Sequence, residues 1–198
     1  MLKKLILPIL ILIIFLLPSL CFSGALEMDE AVIARKNAGG VNYEWLGQLS
    51  VVGATTNSAQ FGFNRASASF TPSHIGTISK IAIYSSNTQA AQDVEIVLYT
   101  DNGSHTPNTK VGTEYIEGTM GTWSLGWKEF TVDWAVTVQK YWIAVSWADT
   151  DAGTVEYYIA ATGDGNSRDN ETWSTWNATW QEDGTGTGNF CWKAYNSW

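Results

Sequence analysis

Tryptophan is the residue with the most chemical promise in this sequence. The 198-residue chain holds 11 of them. Trp173, Trp176 and Trp180 stand apart from the rest, in the segment Asn170-Glu171-Thr172-Trp173-Ser174-Thr175-Trp176-Asn177-Ala178-Thr179-Trp180. Their spacing would stack them on one helical face, but Ser, Thr and Asn form helices poorly, so the segment reads as extended or looped. Flat aromatics with polar neighbours suit sugars. Their faces pack on the apolar C–H side of a pyranose while groups such as Asn177 bond its hydroxyls. Trp173, Trp176, Trp180 and Asn177 are thus the expected ligand-binding residues. The alternative is that these rings cap an open end of the fold. Trp134, Trp142 or Trp147, and Trp192 lie in alternating runs and are expected to fill the core.

Other chemistry is sparse. Past residue 25 the only histidines are His74 and His105, both in polar turn-like settings. No HExxH, GxSxG or phosphate-cradling glycine loop is present. A sandwich glycosidase needs a paired acid and base. Glu114 and Glu117 lie three apart, which puts them on opposite faces of a strand. Asp164, Asn166 and Asp169, with Asn170 and Glu171 beside them, crowd one stretch that reads as a loop. Asp149 and Asp151 occupy another. Oxygen ligands in flexible loops suit calcium, so a structural calcium on Asp164, Asn166 and Asp169 is the one candidate cofactor. These residues are also plain turn formers. Cys191, between Phe190 and Trp192, reads as a small buried hydrophobe.

The elements that must position these residues begin after a leader. Lys3 and Lys4 precede the uncharged apolar run Leu5–Leu17. Pro18 and Ser19 break it, and Ser23, Gly24 and Ala25 supply small residues. That order is a cleavable secretory signal, with cleavage after Ser23 or Ala25. The run approaches the length of a membrane anchor. Lipidation at Cys21 is opposed by the bulky Leu20 before it. The division expected is a signal peptide at 1–25, a tether at 26–40 and one domain at 41–198. Losing Lys3 and Lys4 from the 11 basic residues leaves 9 against 19 acidic ones, a net charge of −10. Such a surface repels phosphate backbones and anionic membranes, which argues against nucleic acid as a partner.

From Val41 the texture is Thr, Val, Ile, Tyr, Trp and Gly, in period-two runs broken by turn residues. Val94, Ile96 and Leu98 alternate with Glu95, Val97 and Tyr99. Phe130 to Val138, Tyr141 to Trp147, Val155 to Ile159 and Phe190 to Ala194 continue the pattern. Ile78, Ile81 and Ile83 mark another strand. Val111 to Ile116 and Ser67 to Phe70 are weaker ones. No helical stripe interrupts them. About eight strands without helices predict an antiparallel two-sheet jelly-roll β-sandwich.

The order of several landmarks resembles a known module. Gly76-Thr77-Ile78-Ser79-Lys80-Ile81-Ala82-Ile83-Tyr84 is followed by Val94 to Asp101. Then come Pro107-Asn108-Thr109, Trp127 to Val132 and Val138 to Val145. Together these resemble the β-sandwich module of bacterial exported proteins of the choice-of-anchor type and of some phage structural proteins. Lys140 departs from the small turn residue usual before Tyr141. The resemblance implies a fold and a place outside the cytoplasm rather than an activity.

The leading expectation is an exported, non-catalytic binding or adhesion module for a glycan or cell-surface polysaccharide, without a membrane span after cleavage. The alternatives are a self-associating structural subunit of an extracellular or virion assembly, and a secreted hydrolase. Exposure of the three tryptophans would favour the first.

Overall fold

The structure, a computed structural model, describes residues 33–36, 39–51, 54–58, 65–88, 92–147, 155–159, 166–169, 176–181, 184–186 and 190–198. The expected leader at 1–25 lies outside them. Among the described residues there are thirteen strands and no helix. In chain order they are β1 (Ile33–Lys36), β2 (Asn42–Gly47), β3 (Thr55–Ser58), β4 (Arg65–Phe70), β5 (Gly76–Asn87), β6 (Gln92–Asp101), β7 (Pro107–Met120), β8 (Trp123–Val136), β9 (Tyr141–Trp147), β10 (Val155–Ile159), β11 (Asn166–Asp169), β12 (Gly184–Gly186) and β13 (Trp192–Ser197).

Eight of these have six residues or more, and they fall four to a sheet. One sheet runs β2-β13-β5-β8; the other runs β4-β9-β6-β7. The pairing is nested. β2 pairs with β13, β4 with β9, β5 with β8 and β6 with β7, always antiparallel. The chain is therefore one long hairpin rolled into two facing sheets, which is the jelly-roll arrangement. The short strands extend edges: β1 on β2, β10 and β3 beyond the end of β13 along β5, and β11 and β12 on β4.

The alternating runs fill the space between the sheets. Ile81, Ile83, Val94, Ile96, Leu98, Phe130, Val132, Ile143, Val145 and Trp192 are all buried there, as their spacing predicts. Burying each such side chain contributes about 1.5–3 kcal/mol, so this cluster dominates the stability of the domain. Trp134 and Trp147 join it, and Trp134 donates its indole N–H to the Thr113 carbonyl at 2.9 Å. Asp101-Asn102-Gly103-Ser104 makes the expected turn. The Asp101 and Asn102 side chains accept from the N–H groups two residues on, and Gly103 has φ 83°.

Two expectations need correction. The stretch 26–40 is not a tether throughout, because Ile33–Lys36 pairs with β2 as an edge strand. Gly40, at φ 83°, provides the backbone that reverses the chain between them. Asn166–Asp169 is not a loop but strand β11, hydrogen-bonded to both β4 and β12.

Candidate functional site

Alternation gives β2 and β13 two unlike faces. Glu44 and Leu46 point inward, as do Trp192 and Ala194; Tyr43 and Trp45, like Lys193 and Tyr195, point outward and are half-buried. The register sets Tyr195 opposite Trp45, Lys193 opposite Ala82, Ala82 opposite Glu129 and Tyr84 opposite Trp127. The outer face of the β2-β13-β5-β8 sheet thus carries an aromatic strip. Tyr43 stacks on Tyr195 at 4.9 Å and Trp45 meets Tyr195 edge-on at 5.1 Å. Trp127 meets Tyr84 at 5.4 Å, and Tyr84 meets Tyr158 at 5.3 Å. The strip crosses three inter-strand spacings, about 14 Å.

Lys193 joins its two halves. Its ammonium lies 4.4 Å from the Trp45 ring centre and 4.1 Å from that of Trp127. Small Ala82 on the strand between leaves room for the lysine chain to cross. Burial among the rings pulls the ammonium below the usual lysine range, and Glu129 opposes that shift. Glu129 is itself paired with Lys80 at 2.9 Å. Among the described residues the indole N–H groups of Trp45 and Trp127 have no hydrogen-bond partner. Half-exposed rings with unused polar edges can take a pyranose face and its hydroxyls together.

The residues expected to bind a ligand lie elsewhere and are differently disposed. Trp176 and Trp180 are buried, at 9% and 6% exposure. With Val97, Tyr99, Trp142 and Ala144 they form a second apolar cluster, on the outer face of β6 and β9. Trp180 meets Tyr99 edge-on at 5.3 Å. Trp176 donates its indole N–H to the buried Glu95 carboxylate at 2.5 Å. Asn177 is half-buried, and its carbonyl accepts the Tyr99 hydroxyl at 3.0 Å. Backbone bonds from Lys110 to Ala178 and from Trp180 to Asn108 tie the segment to β7. The expected exposed platform is therefore corrected for Trp176 and Trp180. An apolar sheet face was available, and covering it removes more surface from water than leaving two indoles exposed. Trp173 lies outside the described residues.

Of the expected calcium ligands, Asp164 lies outside the described residues, and Asn166 and Asp169 belong to β11 rather than to one loop. Among the described residues no three His, Cys, Asp or Glu side chains come together as a metal site. Cys191 is fully buried, as its neighbours predict.

Two further polar places can be assigned. Glu44 is fully buried, and its carboxylate accepts the Ser73 N–H at 3.0 Å, the Ser73 hydroxyl, and the Asn196 amide at 2.9 Å. The His74 ring contacts the Ser73 hydroxyl at 2.8 Å and stacks on Trp198 at 4.0 Å. In a nucleophilic triad the imidazole stands between hydroxyl and carboxylate. Here the hydroxyl stands between, and the group clamps the turn before β5 to β2 and β13. Gly76 completes the clamp: a Cβ there would lie 2.4 Å from the Ser197 carbonyl oxygen. The second place is a groove of about 640 Å³ between β7 and β8, lined by Glu114, Tyr115, Asp133 and Trp134. A glycosidic general acid must hold its proton near neutrality. Glu114 is shifted the other way, lowered by a backbone hydrogen bond and by Lys110, 3.1 Å distant.

Sequence reasoning missed Tyr43, Trp45, Lys193 and Tyr195 as surface residues. The signal was present in Asn42-Tyr43-Glu44-Trp45-Leu46, where both aromatics share the phase opposite Leu46, and in Trp192-Lys193-Ala194-Tyr195, where aromatics occupy both phases of the alternation. No protein-family model and no curated protein matches this chain.

Proposed function

We propose that this chain is an exported, non-catalytic carbohydrate-binding or adhesion module, and that its ligand lies across the aromatic strip on the β2-β13-β5-β8 sheet. The observation carrying this reading is the half-exposed row Tyr43, Tyr195, Trp45 and Trp127, with indole N–H groups that no described residue accepts. Sugar stacking needs a flat apolar area and nearby unsatisfied donors. The resemblance to exported sandwich modules fits the same place of action.

The test is a glycan array with the domain and its Trp45→Ala variant. The parent should bind at least one glycan. The variant should bind it at least about tenfold more weakly, the loss expected of a central aromatic contact. Its melting should change little, because the lost ring–ring contact is worth only about 1 kcal/mol. Failure of the parent to bind any glycan, or unchanged binding by the variant, would remove the reading.

A further inference from the structure

Lys193 is an odd residue to find in an aromatic strip. Its ammonium is half-buried and touches two indole faces. Among the described residues it forms no ion pair and no hydrogen bond. Lys80 pairs with Glu129 at 2.9 Å and Lys110 with Glu114 at 3.1 Å, while Lys128 and Lys140 each lie over one indole, at 5.5 and 5.7 Å, and Lys193 lies closer to two. Taking an ammonium partly out of water without a counter-ion is unfavourable. Two aromatic faces offset part of that cost. A neutral donor or a methionine would bridge Trp45 and Trp127 without it. Glu129, the carboxylate whose charge acts on Lys193, is already held by Lys80 at 2.9 Å, so among the described residues the ammonium has no anion in contact and can take one from a ligand.

Resting on the glycan reading, we infer that Lys193 is the specificity-determining residue of the strip, pairing with the carboxylate of a uronic acid carried sparsely on an otherwise neutral glycan. The stoichiometry follows from the face itself. One unpaired ammonium stands between two stacking surfaces, so one carboxylate is matched per bound stretch. Phosphate groups are held by several donors or by a forked guanidinium, whereas a single carboxylate needs one. A densely charged polyuronate is disfavoured, because the chain has a net charge of −8 and would repel its remaining carboxylates. Trp45 and Trp127 supply the stacking that a free carboxylate lacks.

Titration calorimetry with three probe types decides it. These are neutral xylo- and galacto-oligosaccharides, the same oligosaccharides with a single glucuronic acid branch, and hexagalacturonate. The parent protein should bind a branched probe about tenfold more tightly than its neutral counterpart, the scale of one charge-assisted contact. That advantage should shrink as salt is added, and hexagalacturonate should bind more weakly than the branched probe. Lys193→Met should remove the advantage, weakening branched probes about tenfold more than it weakens neutral ones. Equal binding of branched and neutral probes by the parent would overturn the inference. So would an equal loss for both probes in Lys193→Met, since that marks the lysine as a spacer between two rings. In either case the strip would still bind sugar and the broader reading would survive. Tightest binding to hexagalacturonate would also overturn it. Binding of no probe by the parent would overturn it as well, and an empty glycan array would then remove the broader reading too.

Discussion

Both sheets present aromatics on their outer faces, and the two faces are finished differently. On β6 and β9, Tyr99 and Trp142 lie under Trp176 and Trp180 and are almost wholly buried. Their polar handles are satisfied inside the fold. Tyr99 bonds the Asn177 carbonyl, Trp142 bonds Asp101 at 2.7 Å, and Trp176 bonds Glu95. On β2, β13, β5 and β8, the rings of Tyr43, Trp45, Trp127 and Tyr195 stay half-exposed, and the indole N–H groups find no described partner. Buried indoles and phenols ordinarily find a partner. Trp192 in the core is an exception, its indole N–H unpaired among the described residues, so an unused polar edge is informative on a ring that is also exposed. Where the edge is used internally the aromatic is structural; where it is left over on an exposed ring, a ligand can use it.

The sharpest way to break this comparison is to truncate one ring from the covered face. Trp180→Ala should cost about 3–5 kcal/mol, the range for removing a packed aromatic, and should leave glycan binding by the folded fraction intact. A denaturant melt that matches the parent would show that the two faces do not differ. Ile96 lies between the sheets and belongs to neither outer face. Ile96→Ala should cost about 2–5 kcal/mol, giving a core reference for the loss at Trp180. A change below about 0.5 kcal/mol, typical of surface sites, would place Ile96 outside the core. Trp45→Ala, on the open face, should fall well under both in stability while losing sugar binding.

The smallest effect concerns pH at the sandwich edge. Burial, then the hydrogen bond to the Glu117 carboxylate at 2.6 Å, push the Tyr115 phenol up to about 12 from its ordinary 10.0. A raised phenol favours the neutral form in the folded state. Its contribution is fully present below about pH 10 and is lost as pH rises through about 12. Tyr115→Phe should therefore flatten the alkaline fall in stability across that window, read by urea melts at several pH values. An unchanged alkaline slope would show that Tyr115 is not responsible for it.

Much of the architecture was legible in local pattern. Val94-Glu95-Ile96-Val97-Leu98-Tyr99 and Tyr141 to Trp147 read as strands because period-two alternation and β-branched side chains are properties of neighbouring residues. The same pattern identifies the inward set, which the structure buries. It does not say that Val97, Tyr99, Trp142 and Ala144 on the opposite phase are buried as well. Nor does it make a strand of Asn166–Asp169, where Asn166, Ser167 and Asp169 are turn formers and the segment is paired with β4 and β12.

What the sequence alone determined is which residues must share a face: strand periodicity depends only on covalent geometry. What tertiary structure decided is which of two outward faces is covered. Trp176 reaches Glu95 across 81 positions of chain. Trp45 and Trp127 are brought to one lysine only because β13 and β5 lie between β2 and β8. Contacts over such separations are set by how the sheets close. That depends on the whole balance of burial and chain entropy and not on any local run of residues.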